Sequence, residues 1–122
     1  QGETILLVED DLPILKLAQK ILEGLAYNVL AANSPKKAVQ LAKEYNSEIH
    51  LLVTDVIMPE MNGLELSKQL KLLYPDLKCI FMSGYTANAI AHHGVLDEGV
   101  HFVQKPFAKK DLALIVRKVL DE

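Results

Sequence analysis

Residues 49–74, IHLLVTDVIMPEMNGLELSKQLKLLY, contain a strand signal, a loop signal and a helix signal in succession. The apolar run Ile49–Thr54 ends on Asp55, and a run without polar alternation is typical of a strand buried on both faces. A loop bracketed by a proline and a glycine follows. Leucines at helical spacing then predict a helix over Leu64–Tyr74. This stretch therefore predicts one β–loop–α unit.

The same succession occurs five times along the chain. The other predicted strands are Thr4–Val8, Tyr27–Ala31, Lys78–Met82 and Val100–Val103. The other predicted helices are Leu12–Leu25, a helix with Ser34 as N-cap and Pro35 at its first position, Thr86–Asp97 and Lys109–Leu120. Alternating strands and helices predict a parallel sheet covered on both faces, and right-handed crossovers favour the strand order 2-1-3-4-5. We predict an α/β fold, a single doubly wound (βα)5 three-layer sandwich of flavodoxin-like topology over residues 1–122.

Composition narrows the functional class. The chain has 122 residues, 50% of them hydrophobic, and a net charge of −3, so we expect one soluble domain that binds neither nucleic acid nor membrane. No apolar run approaches the roughly 20 residues of a membrane span. The single cysteine, Cys79, lies in an apolar run, which predicts an inert thiol and fits the cytoplasm. Because the first residue is Gln1 rather than Met, we expect a fragment of a longer chain.

Polar residues follow four of the predicted strands, and a parallel sheet brings such positions to one edge. They are Glu9-Asp10-Asp11, Asp55, Ser83 and Lys105. Each has an ordinary explanation alone, since Asp11 before Leu12 fits a helix cap and Asp55 fits a turn. Together, clustered carboxylates repel one another unless a cation lies between them, and oxygen ligands of this kind suit Mg²⁺. A lysine and a hydroxyl across the site suit phosphate oxygens, so the set indicates phosphoryl transfer.

Four motifs resemble the receiver domains of two-component response regulators, and the resemblance covers essentially the whole chain. They are ILLVEDD (5–11), LLVTDVIMPEMNGLEL (51–66), FMSGYTA (81–87) and FVQKPF (102–107). The resemblance implies that Asp55 accepts a phosphoryl group from a phosphohistidine on a histidine kinase or histidine phosphotransfer domain. It implies that Mg²⁺ is bound by Glu9, Asp10, Asp55 and the backbone carbonyl of Ile57, with Asp10 the more direct ligand of the acidic pair.

The same resemblance assigns a switch. It implies that Lys105 and Ser83 contact the phosphoryl group, that Pro106 is a cis-proline, and that Phe102 turns inward when Ser83 moves toward the phosphate. The expected output surface comprises the predicted helix Thr86–Asp97, the fifth strand and the last helix, and it would bind an effector or a second copy of the chain. We expect a phospho-acceptor switch rather than an enzyme with a separate substrate.

Three positions depart from the usual family pattern. Glu9 stands where aspartate is common, so it is expected to reach the metal only through water. Ser83 replaces threonine and keeps the hydroxyl. Phe102 replaces tyrosine, so switching must depend on packing. Ile57 and Tyr85 are both bulky and lie two residues beyond site residues, which predicts slow self-hydrolysis of the aspartyl phosphate.

Several alternatives exist within and beyond the family. The segments MSGYTA and GVHFVQKPF favour the receiver of a hybrid sensor histidine kinase, and a free-standing single-domain regulator is the alternative. A phosphatase with an aspartyl nucleophile would need Asp-x-Asp after strand 1, whereas Leu12 follows Asp10 at that spacing. Three acids there would repel a flavin phosphate, and no P-loop motif occurs. Adjacent His92 and His93 point in different directions on a helix, so no ligand pair is expected.

Overall fold

The computed structural model describes residues 2–84 and 101–122, and its elements follow the predicted alternation. The strands are β1 (Thr4–Val8), β2 (Asn28–Ala32), β3 (Leu51–Asp55), β4 (Lys78–Ser83) and β5 (His101–Gln104). The helices in these two ranges are α1 (Leu12–Gly24), α2 (Pro35–Glu44), α3 (Gly63–Lys71) and α4 (Lys109–Leu120). The predicted helix Thr86–Asp97, with His92 and His93, and Tyr85 before it lie outside the described residues.

The five strands form one parallel sheet in the order β2-β1-β3-β4-β5, which confirms the predicted topology. β1 pairs with both β2 and β3, so the strand order reverses around it. β3 pairs with β4, and β4 pairs with β5. The carboxyl ends of β1, β3, β4 and β5 therefore lie side by side at one edge of the sheet, where the polar residues were expected to meet.

The sheet is covered on both faces, as expected for strands without polar alternation. Ile5 and Leu7 of β1 pack into a cluster that includes the buried faces of α1 and α4. Leu6 and Val8 point the other way, into a cluster with α2 and α3. Ile5–Val8 of β1 and the first three residues of β3 are fully buried, so both central strands are held by apolar packing from two sides. The predicted three-layer arrangement is confirmed.

Side-chain caps begin the first two helices where the sequence predicted them. The Ser34 side chain accepts a hydrogen bond from the backbone N–H of Lys37 at 3.2 Å, and Pro35 starts α2. Asp11 Oδ1 accepts from the backbone N–H of Ile14 at 3.3 Å, so Asp11 caps α1. Such caps supply acceptors for N–H groups that the helix cannot pair internally. The cap role of Asp11 is confirmed, and it leaves Glu9 and Asp10 as the acidic pair of the site.

The predicted end of the third helix was wrong. α3 ends at Lys71 rather than at Tyr74, because the two residues after Lys71 donate their N–H groups to carbonyls three residues back, which tightens the chain into a turn before Pro75. Leu73 is accordingly 44% exposed, and Leu12, in the first turn of α1, is 49% exposed. No helix within the described ranges is both long and apolar enough to cross a membrane.

Candidate functional site

The polar residues predicted to meet at the sheet edge are brought together. Glu9 and Asp10 directly follow β1, Asp55 is the last residue of β3, and Ser83 is the last residue of β4. Lys105 follows β5, and its backbone N–H donates to the Ser83 carbonyl at 2.7 Å. The strand register places Asp55 opposite Met82, one residue before Ser83. Parallel pairing thus aligns side chains that are distant in the sequence.

Lys105 joins two buried carboxylates. Its Nζ lies 2.6 Å from Oε1 of Glu9 and 3.1 Å from Oδ1 of Asp55. Glu9 is completely buried and Asp55 is 7% exposed, so an unpaired charge on either would be costly. The second oxygen of Glu9, Oε2, accepts from the backbone N–H of Asp11 at 3.1 Å. Both oxygens of Glu9 therefore already have donors within the protein.

Burial dominates the ionisation of this group. Burial raises the pKa of Glu9 to about 7, against the opposing hydrogen bond from Lys105. Burial likewise raises the pKa of Asp55, although the positive charge of Lys105 partly offsets it. Burial alone would lower the pKa of Lys105, but its hydrogen bond to Glu9 and the charge of Asp55 raise it above the ordinary lysine value. Lys105 therefore remains a cation at neutral pH. The neighbouring carboxylates also favour binding of a second cation beside it.

The acidic cluster could hold a metal ion. Ligand oxygens of Glu9, Asp10 and Asp55 lie within 4.8 Å of one another. A set made only of carboxylate oxygens fits a hard divalent cation such as Mg²⁺ better than a metal that favours nitrogen or sulfur ligands. Asp10 is exposed and Asp55 ends its strand, whereas both Glu9 oxygens are hydrogen-bonded. The geometry therefore favours Asp10 and Asp55 as direct ligands, and the roles predicted for Glu9 and the Ile57 carbonyl stay predictions.

The predicted switch residues lie at the end of β4 and within β5. Ser83 is buried at the end of β4. Phe102 is half-buried in β5 and packs against a small cluster formed by Val56 and Phe81. The peptide bond between Lys105 and Pro106 is cis. Inward movement of Phe102 and contact between Ser83 and a phosphoryl group stay predictions.

Sequence reasoning did not identify the tight packing behind Asp55. Gly63, interpreted only as the end of a loop, is the first residue of α3, and a Cβ added to it would lie 2.3 Å from the carbonyl oxygen of Asp55. The Thr54 hydroxyl donates to the same carbonyl at 3.0 Å. The glycine in LLVTDVIMPEMNGLEL could be noticed in the sequence. Only the folded structure shows that the missing side chain leaves room for the Asp55 carbonyl.

Comparisons with known proteins agree with this geometry. The family model described as "Response regulator receiver domain" matches residues 5–117. The chain is 37% identical over 119 residues to the sensor kinase CckA of Brucella abortus (strain 2308), and this match covers 98% of the chain but 13% of the kinase. It is 34% identical to the response regulator receiver protein CpdR of the same organism, with 95% of each chain covered.

Solved structures give the same result. The crystal structure of the receiver domain from the hybrid histidine kinase CckA matches with a TM-score of 0.80 and 33% identity, covering 96% of this chain and 98% of that domain. The Vibrio cholerae chemotaxis protein CheY4 matches with a TM-score of 0.84 at 21% identity, covering 98% of this chain and 99% of CheY4, and so supports the fold alone. The sequence match, the strand order and the acidic cluster beside Lys105 agree, and the chain belongs to the response regulator receiver domain family of two-component systems.

Proposed function

We propose that Asp55 accepts a phosphoryl group from a phosphohistidine on a histidine kinase or histidine phosphotransfer domain, with Mg²⁺ bound at the acidic cluster. One observation supports this most strongly. Asp55 is a nearly buried carboxylate that lies 3.1 Å from Lys105 and shares a possible metal position with Glu9 and Asp10. A carboxylate nucleophile beside a lysine and a cation site suits phosphoryl transfer, in which positioning and charge neutralisation do most of the catalysis.

In the proposed reaction a carboxylate oxygen of Asp55 attacks the phosphorus atom, and an O–P bond forms as the P–N bond of the phosphohistidine breaks. The electron pair of that bond remains on the imidazole nitrogen, which takes a proton from solvent. In this proposal Lys105 and the Ser83 hydroxyl contact phosphoryl oxygens, Lys105 as a point charge and Ser83 as a hydrogen-bond donor. Bound Mg²⁺ would neutralise charge on the transferred group.

We assign the output to packing rather than to a new hydrogen bond. When Ser83 moves toward the phosphoryl group, Phe102 turns inward and alters the surface around β4, β5 and α4. Phe102 lacks a hydroxyl and already contacts the small cluster of Val56 and Phe81, which suits a change in packing. The altered surface would bind an effector or a second copy of the chain.

The parent protein is proposed to be a hybrid sensor histidine kinase, so that this domain works in the cytoplasm beside a sensor that spans the membrane. The likeness to the sensor kinase CckA supports this version, and the likeness to CpdR supports the alternative of a free-standing regulator. The chain spans 13% of the length of the sensor kinase and 95% of CpdR. Sequencing the whole gene decides between them, because a hybrid kinase requires a kinase domain in the same reading frame.

The function is tested by incubating the protein with acetyl phosphate and Mg²⁺ and measuring its intact mass. We expect the wild type to gain one phosphoryl group and Asp55→Asn to gain none. Asp76→Asn, which removes a carboxylate from the loop before β4, is the matched control and should gain the group like the wild type. A gain that persists in Asp55→Asn would refute the assignment, and a kinase assay with a labelled phosphohistidine donor extends the test to the natural reaction.

A further inference from the structure

We propose that Thr54 is a positioning residue for the phospho-acceptor. Its hydroxyl, together with the absence of a side chain at Gly63, fixes the main-chain carbonyl of Asp55 and thereby the direction of the Asp55 carboxylate. The inference rests on the proposed function for its consequence on phosphorylation, but its structural part, the hold on the carbonyl, can be measured without phosphate.

Thr54 is a buried polar residue that follows an apolar run in β3. It is fully buried in β3, where the three preceding residues are leucine, leucine and valine. A valine would have nearly the same shape, and burying a hydroxyl is unfavourable unless the hydroxyl is hydrogen-bonded. Thr54 Oγ1 donates to the carbonyl oxygen of Asp55 at 3.0 Å and also lies 3.9 Å from Sδ of Met58. The hydroxyl therefore acts on the main chain of the phospho-acceptor itself.

Gly63 closes the other side of the same carbonyl. A Cβ on Gly63 would lie 2.3 Å from the carbonyl oxygen of Asp55 and 3.1 Å from Cγ2 of Thr54. The N–H of Gly63 donates to the carbonyl of Val56 at 2.7 Å, which ties the start of α3 to the residue after Asp55. The Asp55 carbonyl is thus confined between a hydrogen-bond donor and a helix backbone in close contact.

Confinement of the carbonyl affects the carboxylate because both are attached to the same Cα. A displacement of the Asp55 carbonyl carbon would shift the bonded Cα and, with it, the side chain relative to Lys105, whose Nζ lies 3.1 Å from Oδ1. Phosphoryl transfer depends on the alignment of the attacking oxygen, and a displacement of about 1 Å can slow such a reaction as much as ~100-fold. Loss of the Thr54 hydroxyl should therefore slow phosphorylation beyond its effect on stability.

The chain offers a matched control at the opposite edge of the sheet. Thr4, the first residue of β1, is 4% exposed, and its Oγ1 lies 3.1 Å from the Tyr45 hydroxyl. Thr4→Val and Thr54→Val make the same chemical change in the same kind of buried, hydrogen-bonded position. Only Thr54 contacts the phospho-acceptor, so a purely structural role would make the two variants alike.

The experiment compares wild type, Thr54→Val, Thr54→Ser and Thr4→Val. The phosphorylation rate constant is measured with saturating acetyl phosphate and Mg²⁺, the urea midpoint reports stability, and NMR gives the ¹³C chemical shift of the Asp55 carbonyl in the unphosphorylated protein. We expect Thr54→Val to slow phosphorylation about tenfold, while Thr54→Ser and Thr4→Val stay within about twofold of wild type. The Asp55 carbonyl shift should move in Thr54→Val alone.

Equal rate constants for Thr54→Val and Thr4→Val would overturn the inference, as would an unchanged Asp55 carbonyl shift in Thr54→Val. A serine variant as slow as the valine variant would also contradict it, because serine keeps the hydroxyl. If the wild type gained no phosphate at Asp55, the proposed function would fail, and the carbonyl shift would still decide whether Thr54 holds the main chain.

Discussion

At the residue scale, Lys105 lies where two buried carboxylates converge. Its Nζ contacts Glu9 at 2.6 Å and Asp55 at 3.1 Å, beside the cluster proposed to bind Mg²⁺. A fixed positive charge so close to a divalent cation weakens binding of that cation by electrostatic repulsion. We therefore predict that Lys105→Met binds Mg²⁺ about fivefold more tightly than wild type while its phosphorylation by acetyl phosphate becomes slower.

Isothermal titration with Mg²⁺ measures the first effect, and the rate of mass gain measures the second. Lys109→Met is the control, because Lys109 is an exposed lysine at the start of α4 and its loss changes the net charge equally. Weaker Mg²⁺ binding in Lys105→Met, or the same tightening in Lys109→Met, would contradict the account of the site.

The side chain of Ile57 is expected to limit the access of water to the aspartyl phosphate. It lies two residues after Asp55 and is 54% exposed. We predict slow loss of the phosphoryl group in the presence of Mg²⁺, and faster loss in Ile57→Asn, whose amide can hydrogen-bond an attacking water. Mass spectrometry over time, after removal of acetyl phosphate, measures the lifetime.

Leu72→Asn provides the matched control for this prediction, because Leu72 is an exposed leucine after α3 and receives the same chemical change. Its lifetime should equal that of the wild type. Rapid loss of phosphate from the wild type, unchanged in Ile57→Asn and in Tyr85→Ala, would show that neither bulky residue shields the acyl phosphate.

At the element scale, the close contact between the start of α3 and the end of β3 has a measurable consequence. A Cβ at Gly63 would lie 2.3 Å from the Asp55 carbonyl oxygen, a distance that forces the backbone to move. Gly63→Ala should destabilise the protein by about 1–3 kcal/mol through overpacking and should slow phosphorylation strongly. Urea unfolding and the phosphorylation rate constant measure the two effects.

Gly24→Ala is the control for Gly63→Ala. It is the last residue of α1, and an added Cβ there meets nothing within 4 Å. Gly24→Ala should leave stability unchanged or raise it by up to about 1 kcal/mol, because alanine favours the helix and restricts the unfolded chain. Phosphorylation at the wild-type rate in Gly63→Ala would mean that the contact does not position Asp55.

Helix boundaries show what local sequence can and cannot predict. Ser34 and Asp11 were identifiable as caps because a cap depends on residues three positions apart. The end of α3 was predicted three residues late, because the helical spacing of the leucines continues through Leu73 whereas the hydrogen bonds after Lys71 are those of a turn. The contacts of Thr54 and Gly63 with the Asp55 carbonyl could not be predicted either. Strand and helix periodicity indicates which residues are buried but not which atoms come into contact.

At the scale of the whole molecule, the two ends of the described chain are joined by an ion pair. Arg117 of α4 contacts Glu3, just before β1, at 2.9 Å. The hydrogen bond from Arg117 lowers the pKa of Glu3 from its ordinary 4.5 to about 2. Because the folded pKa is lowered, this pair stabilises the protein above the unfolded pKa and ceases to do so as the pH falls toward 2.

Glu3→Gln should therefore be less stable than wild type near neutral pH and should approach it at about pH 2. The effect should be modest, because Arg117 is partly exposed and solvent screens the pair. Urea midpoints at the two pH values measure it, and Arg117→Met, which also removes the contact with Asp121 at 2.8 Å, should lose at least as much stability near neutral pH. A difference from wild type that does not depend on pH would show that the pair contributes no ionisation-linked stability.

The sheet order followed from the sequence because five alternating units with right-handed crossovers allow few arrangements. The meeting of Glu9, Asp10, Asp55 and Lys105 followed from that order, since parallel strands align their carboxyl ends. The bridging of Glu9 and Asp55 by one ammonium group did not follow, because side-chain reach across three strands depends on the folded geometry. Glu9 is also a poorer candidate for direct metal contact than Asp10, because both of its carboxylate oxygens already accept hydrogen bonds.

The central claim is that Asp55 is the carboxylate that becomes phosphorylated. Borohydride reduces an aspartyl phosphate to homoserine, so treating the phosphorylated protein and sequencing its peptides by mass spectrometry identifies the modified residue. The account predicts homoserine at position 55 after incubation with acetyl phosphate and Mg²⁺, and unmodified residues at Glu9 and Asp10. Reduction of an acyl phosphate at Glu9 or Asp10 would instead convert that carboxyl group to an alcohol, which mass spectrometry would detect at that position. Modification at either of these residues, with Asp55 intact, would contradict it.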